Sequence, residues 1–157
     1  MKFCRDVETD DGIDPRKTAK AMAYELHISP KHAFEVCRMI KGKRVVEAET
    51  YLEAVLEKRV AIPFKRHKKK VAHRKGLEKW DAGRYPVRVS AAILTLLKEA
   101  KKNAEYKGLD LELSRVWHAA TKKGRTIEGR MSRARGRVTP KNTDTVTIEI
   151  MLREMGS

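Results

Sequence analysis

Lys122-Lys123-Gly124-Arg125-Thr126-Ile127-Glu128-Gly129-Arg130-Met131-Ser132-Arg133-Ala134-Arg135-Gly136-Arg137-Val138-Thr139-Pro140-Lys141 is the stretch on which the architecture turns. Its only acid is Glu128, and its only sizeable apolar side chains are Ile127, Met131 and Val138, so it has almost nothing to bury. Both flanks alternate with period two, the signature of a strand: Leu111, Leu113, Arg115 and Trp117 against Glu112, Ser114, Val116 and His118 upstream, and Val146, Ile148, Ile150 and Leu152 against Thr147, Glu149 and Met151 downstream. Two strands bracketing a hydrophilic run predict an antiparallel pair that continues as a long hairpin arm over about residues 120–143. At about 3.3 Å per residue each leg reaches on the order of 33 Å, while a domain of this size has a radius of gyration near ~15 Å. The arm must therefore project. Alone, a two-stranded ribbon is marginal in water; against folded RNA it gains order, because each phosphate it neutralises releases counterions. Its distal cations are arginines, whose planar fork pairs with phosphate and stacks on bases. A solvated, functionless loop is the bland alternative.

Working outward, Tyr24, Leu26 and Ile28 alternate with Glu25 and His27, predicting a strand that leads into a helix. Ser29 is placed to cap that helix and Pro30 fits its first position. Ala33, Val36, Cys37 and Ile40 form its apolar stripe, and Gly42 stops it. A second helix runs from Val45 to about Lys58 on Val45, Ala48, Leu52 and Val55. A third follows Pro86 to about Tyr106 on Val89, Ala92, Ile93, Leu96, Leu97, Ala100 and Ala104, with Gly108 beyond it. Residues 64–85 predict a basic loop with no core of its own.

The 157 residues fit one domain, and 36 Lys and Arg against 21 Asp and Glu leave a net charge of +15. A surplus that large resists compaction and calls for a polyanionic partner. No apolar run approaches the roughly 20 residues that span a bilayer and no leader pattern opens the chain, so the expectation is a cytoplasmic protein on nucleic acid, not membrane. The opening stretch is acidic, with Asp6, Glu8, Asp10, Asp11 and Asp14. Asp10, Asp11 and Asp14 beside Gly12 miss calcium-loop spacing and read as a solvated turn. Cys4 and Cys37 form no Cys-x-x-Cys pair, so reduced thiols are expected, with no disulfide, zinc or other metal.

A second basic run, Lys65, Arg66, His67, Lys68, Lys69, Lys70, His73, Arg74 and Lys75, reads as another RNA contact, with a localisation signal or an idle charged loop as alternatives. His67 and His73 read as stacking or phosphate-bonding groups, not metal ligands. Trp80 and Tyr85 either stack on a base or pack onto the body. Trp117 and His118 read as a core tryptophan beside an exposed histidine. Gly124 to Arg130 superficially looks like a phosphate loop, but it lacks the Lys and Ser or Thr and lies between strands. No Ser, Cys or carboxylate has a base at motif spacing, so neither an enzyme nor a cofactor is expected.

Ile28-Ser29-Pro30-Lys31-His32-Ala33, Met39-Ile40-Lys41-Gly42-Lys43, the stretch from Ala104 to Asp110, and Arg130 to Arg137 resemble, in order and spacing, the universal large-subunit ribosomal protein family numbered twenty-two in bacteria and seventeen in eukaryotes. The likeness covers about residues 15–153. It implies an α+β fold, a three-stranded antiparallel sheet packed on three helices with a long protruding β-hairpin arm. It implies a structural role on large-subunit ribosomal RNA, in the cytoplasm, among neighbouring ribosomal proteins, with the arm tip at the wall of the nascent-peptide tunnel. By the match, Arg130, Met131, Arg133, Arg135 and Arg137 are arm contacts; Lys31, His32, Lys41, Lys43, Arg44, Lys122, Lys123 and Arg125 complete the RNA-binding candidates. The basic insert at residues 63–85 and the acidic start depart from the bacterial form and look archaeal or eukaryotic. The histidine common before the last strand in bacteria is not evident. A free, non-catalytic regulator of RNA or DNA remains the alternative, and an RNA-modifying enzyme would need a cofactor pocket that the sequence does not show.

Overall fold

A computed structural model describes residues 15–155; the acidic opening segment and Cys4 lie outside them. Strand β1 (Thr18–Leu26) leads into helix α1 (Pro30–Ile40) and helix α2 (Val45–Leu56). A short ladder of β2 (Ile62–Pro63) and β3 (Gly83–Arg84) brackets the basic insert, and helix α3 (Val87–Tyr106) follows. The chain closes with β4 (Ser114–Ile127), β5 (Arg130–Ser132), β6 (Val138–Pro140) and β7 (Thr143–Glu154). The main sheet is antiparallel in the order β1-β7-β4, and the α+β class with three helices on a three-stranded sheet is the one expected.

The core lies between one sheet face and the helices. Ile148, Ile150 and Leu152 of β7 face inward, flanked by Ala19 and Ala21 of β1 and Val116 of β4. Against them pack Ala33, Val36 and Ile40 of α1, Leu52 of α2, and Ile93, Leu97 and Ala100 of α3. Being the middle strand, β7 is buried on both faces from Thr145 to Leu152, so its polar alternates are shielded as well. Cys37, a free thiol in α1, sits in this interior, and burial pushes its pKa up to about 12.

Several local expectations need correcting. The first strand begins at Thr18, six residues before Tyr24, and its inward residues are alanines because α3 packs closely over them. Alanine carries little strand signal, so periodicity caught only the frayed end. There Glu25 turns left-handed (φ 48°), the register slips between Ala23 and Leu26, and Tyr24 is exposed. Ser29 does stand in extended conformation before α1, but its hydroxyl makes no cap bond; its carbonyl accepts the Ala33 amide at 3.0 Å. The strand after α3 starts at Ser114, not Leu111, because residues 111–113 form a turn. Its inward residues are consequently Ser114 and Val116, the opposite parity to that read from Leu111 and Leu113. The stretch 64–85 is also more than a loop without a core, since Phe64 is only 1% exposed and belongs to the main cluster.

The basic stretch is a hairpin. Strands β4 and β7 stay paired out to Ile127 and Thr143, and β5 and β6 continue the ribbon through Arg130 with Pro140 and Ser132 with Val138. Gly129 is required there: a Cβ would stand 2.6 Å from the Lys141 carbonyl oxygen, which accepts no such intrusion because Lys141 itself donates its amide to Gly129 at 2.7 Å. The tip closes with the Arg133 amide on the Arg137 carbonyl (2.8 Å), and Arg135 and Gly136 are both left-handed. Residues 124–130 thus lead into no helix, which disposes of the phosphate-loop likeness.

Candidate nucleic-acid interface

The candidate cations fall into three places. On the arm, Arg125, Arg130, Met131, Arg133, Arg135 and Arg137 are all exposed, and β5 and β6 pack principally on each other. At the arm's root, Lys122 pairs with the buried Glu149 carboxylate at 2.5 Å and Lys123 with Asp144 at 3.1 Å, so these two lysines serve the ribbon's own strands. Thr126 and Lys123 hold the Asp144 carboxyl below its usual pKa.

The second place joins α1 to the insert. Glu35, 1% exposed, accepts the amides of Arg66 and His67 at 2.8 Å each and that of Lys65 at 3.3 Å. Three successive amides converging on one carboxylate fix the start of the basic run to the body. Around this anchor His32 meets Phe64 edge-on, His67 meets Phe34, and the Arg66 guanidinium lies 4.9 Å from the Phe34 ring centre. Trp80 packs onto the body and donates its indole N–H to the Phe64 carbonyl at 3.1 Å, with Lys68 over its ring; Arg74 lies over Tyr85. His73 pairs with Asp81 at 3.1 Å. Lys31, Lys65, Lys69, Lys70 and Lys75 are left as exposed cations on the rim of this folded loop. Among the described residues no group of three His, Cys, Asp or Glu side chains could hold a metal.

The third place is the loop after α1. Lys41 is exposed, Lys43 lies over the Tyr51 ring, and Arg44 bridges to Arg115 at the edge of β4. Here the sequence reading of the neighbouring pair, a core tryptophan beside an exposed histidine, does not hold. Trp117 is half-buried on the sheet's outer side with the Arg153 guanidinium 4.7 Å from its ring centre, and His118 is half-buried with its Nε2 sealed and unbonded. The register shift between Val116 and His118 is the cause, because a bulge re-aims both side chains. Glu35 escaped the sequence reading, as it sits one position off the α1 stripe and its partners are backbone groups thirty residues away. Arg115 and Arg153 escaped for lack of any basic run around them.

Burial and nearby cations keep two imidazoles neutral. The pKa of His32 is lowered by desolvation, then by Arg84 and His67; that of His118 by desolvation, then by Lys41 and Lys122 against the opposing Glu149. Both lie below the ordinary 6.5 in the folded chain, so the unfolded chain takes up protons first as pH falls. Stability contributed by the neutral forms is present above pH 6.5 and drains away below it. Thermal midpoints are therefore expected to drop between about pH 7 and about pH 5.5, before the ordinary carboxylate range is reached, and to drop less in a His32→Ala, His118→Ala double variant. A flat profile would contradict the assignment.

The geometry defines a class: a small basic α+β domain that carries cations on a projecting ribbon and on a folded loop, without a catalytic constellation among the described residues. Residues 21–153 match the family model described as ribosomal protein L22p/L17e. Large ribosomal subunit protein uL22 of Archaeoglobus fulgidus is 55% identical over 138 residues, spanning 88% of this chain and 89% of that protein. The same protein of Methanocella arvoryzae is 50% identical over 143 residues (91% and 94%), and that of Methanocaldococcus jannaschii 51% over 142 (90% and 91%). The chain belongs to the ribosomal protein L22p/L17e family.

Proposed function

We propose that this chain is a non-catalytic structural constituent of the large ribosomal subunit, in the cytoplasm, held there by ribosomal RNA. The observation that carries the reading is the arm: Arg130, Arg133, Arg135 and Arg137 stand exposed on a ribbon whose distal strands pack principally on each other. A protein gains nothing by displaying such a ribbon in water, whereas between RNA helices it loses little hydration and releases counterions. The insert is a second contact, with Lys65, Arg66, Lys68, Lys69, Lys70, Arg74 and Lys75 presented by the Glu35 anchor and His67 and His73 among them. Lys31, His32, Lys41, Lys43 and Arg44 extend the footprint along α1, and Lys122, Lys123, Arg125 and Met131 line the route to the tip. Neighbouring ribosomal proteins share this surface, and the tip lies at the nascent-peptide tunnel wall.

The test is sedimentation of a tagged chain expressed in a host whose own copy can be replaced. Retention on large-subunit particles through high-salt washes, with residues 125–137 crosslinked to ribosomal RNA, is expected. Recovery only in the free fraction would leave a soluble nucleic-acid-binding regulator instead.

A further inference from the structure

At the outer edge of β4 lies a groove of about 580 Å³ that the arm and insert do not use. Its walls are Val116, Trp117 and Met155, its rim carries Lys41 and Arg115, and His118 closes it. The volume falls within the range of small-ligand sites, which are mostly apolar with a few convergent polar groups. The lining narrows the occupant. No carboxylate lines the groove, while two exposed cations do, so a negatively charged group is attracted to its mouth. The His118 ring lines the groove, while its Nε2 is shut off from solvent and leaves the polar anchoring to the two cations. The groove is also rigid. Arg153 braces the Trp117 ring, and the loop after α1 is stitched to β4 through the Gly42 amide on the Val116 carbonyl (2.8 Å) and the Val116 amide on the Lys43 carbonyl (2.9 Å). At Gly42 (φ 87°) the wall is bare backbone with open space in front, which lets a flat ligand approach.

We propose that this groove receives one unpaired nucleobase of an RNA strand, lying against Trp117 and Met155 with its phosphate on Lys41 and Arg115. Flat, apolar-faced and tethered to a phosphate, a nucleobase matches both the apolar walls and the cations. A carboxylate side chain would use the cations and leave the apolar walls exposed. A paired base cannot enter, so the site selects bulged or single-stranded RNA. The inference rests on the RNA-binding reading above and adds a base-specific contact to it.

The full chain carrying Trp80→Phe retains Trp117 as its single tryptophan. Two probes of equal length and charge separate base from phosphate: a short oligouridylate and an abasic ribose-phosphate strand. Oligouridylate is expected to quench Trp117 fluorescence and to bind about five- to tenfold more tightly than the abasic strand, the scale of one base–aromatic contact. By anisotropy of labelled strands, Trp117→Leu should bring that ratio close to unity, while Lys41→Ala should weaken both strands alike and leave the ratio unchanged. Equal binding of both strands without quenching overturns the groove assignment and leaves the RNA-binding reading standing. Failure of both strands to bind at low salt overturns both. Quenching by an oligoglutamate peptide that also displaces oligouridylate would make the occupant an acidic protein segment and overturn the base.

Discussion

Truncation of Glu35 to alanine is expected to lower the thermal midpoint of the body by about 6–12 °C, the largest effect of any single substitution outside the apolar core. Glu35 is sealed in the interior and is the acceptor for three consecutive amides, those of Lys65, Arg66 and His67. Each amide left without a partner costs roughly 1–3 kcal/mol if it stays buried. The insert can swing outward to recover water at part of that cost, so a net loss of about 3 kcal/mol is the reasonable scale. Removal of the carboxylate also relieves its own desolvation, which keeps the loss below the sum of three bonds. Glu35→Gln retains one acceptor oxygen and should fall between the two. Hydrogen exchange supplies the local readout: the amides of residues 65–67 should exchange much faster in the alanine variant, while those of α3 and β7 change only through global stability. An unchanged midpoint together with unchanged exchange at these amides would remove Glu35 from its anchoring role. The Phe34, Phe64 and Trp80 contacts around the insert depend on the same anchor, so the RNA affinity contributed by Lys68 and Arg66 should decline with it.

How far the sequence carried depends on whether each signal was local. Helices α1, α2 and α3 were legible because their apolar stripes repeat every three to four residues and glycines follow two of them; Gly42 and Gly108 are both left-handed in the structure. The arm was legible for the opposite reason, an absence of anything to bury between two strands. What escaped is tertiary. The alanines of β1 signal a strand only when α3 is known to lie over them. The inward parity of β4 was set by a turn at residues 111–113 and by a bulge at Trp117, neither of which alternation can register. Phe64 was grouped with its basic neighbours although its own environment is the core. Of the candidate contacts, the arm and insert cations were visible as runs, whereas the groove at Trp117 and His118 combines residues from three separate segments, and its two members were assigned opposite environments.

Alanine at Arg130, Arg133, Arg135 and Arg137 together is expected to weaken RNA binding steeply while leaving the body as stable as before. These four guanidiniums are exposed and their strands pack on each other, so their loss removes no core contact. If each reaches one phosphate, the dependence of log affinity on log salt becomes shallower by about 3, from a slope of roughly 0.7–0.9 per phosphate. Net charge alone would also reduce affinity, so the comparison must hold it constant. A second variant with alanine at Lys58, Arg59, Lys98 and Lys102, four exposed cations on the helical side, loses the same charge from surfaces outside the proposed footprint. Its salt slope should stay close to that of the unmodified chain, because diffuse charge steers encounter without forming close phosphate contacts. Equal slopes in the two variants would mean that the arm acts only as a carrier of charge. A shallower slope in the arm variant alone, with an unshifted thermal midpoint, would locate the phosphate contacts on a ribbon that contributes nothing to folding and is retained for what it binds.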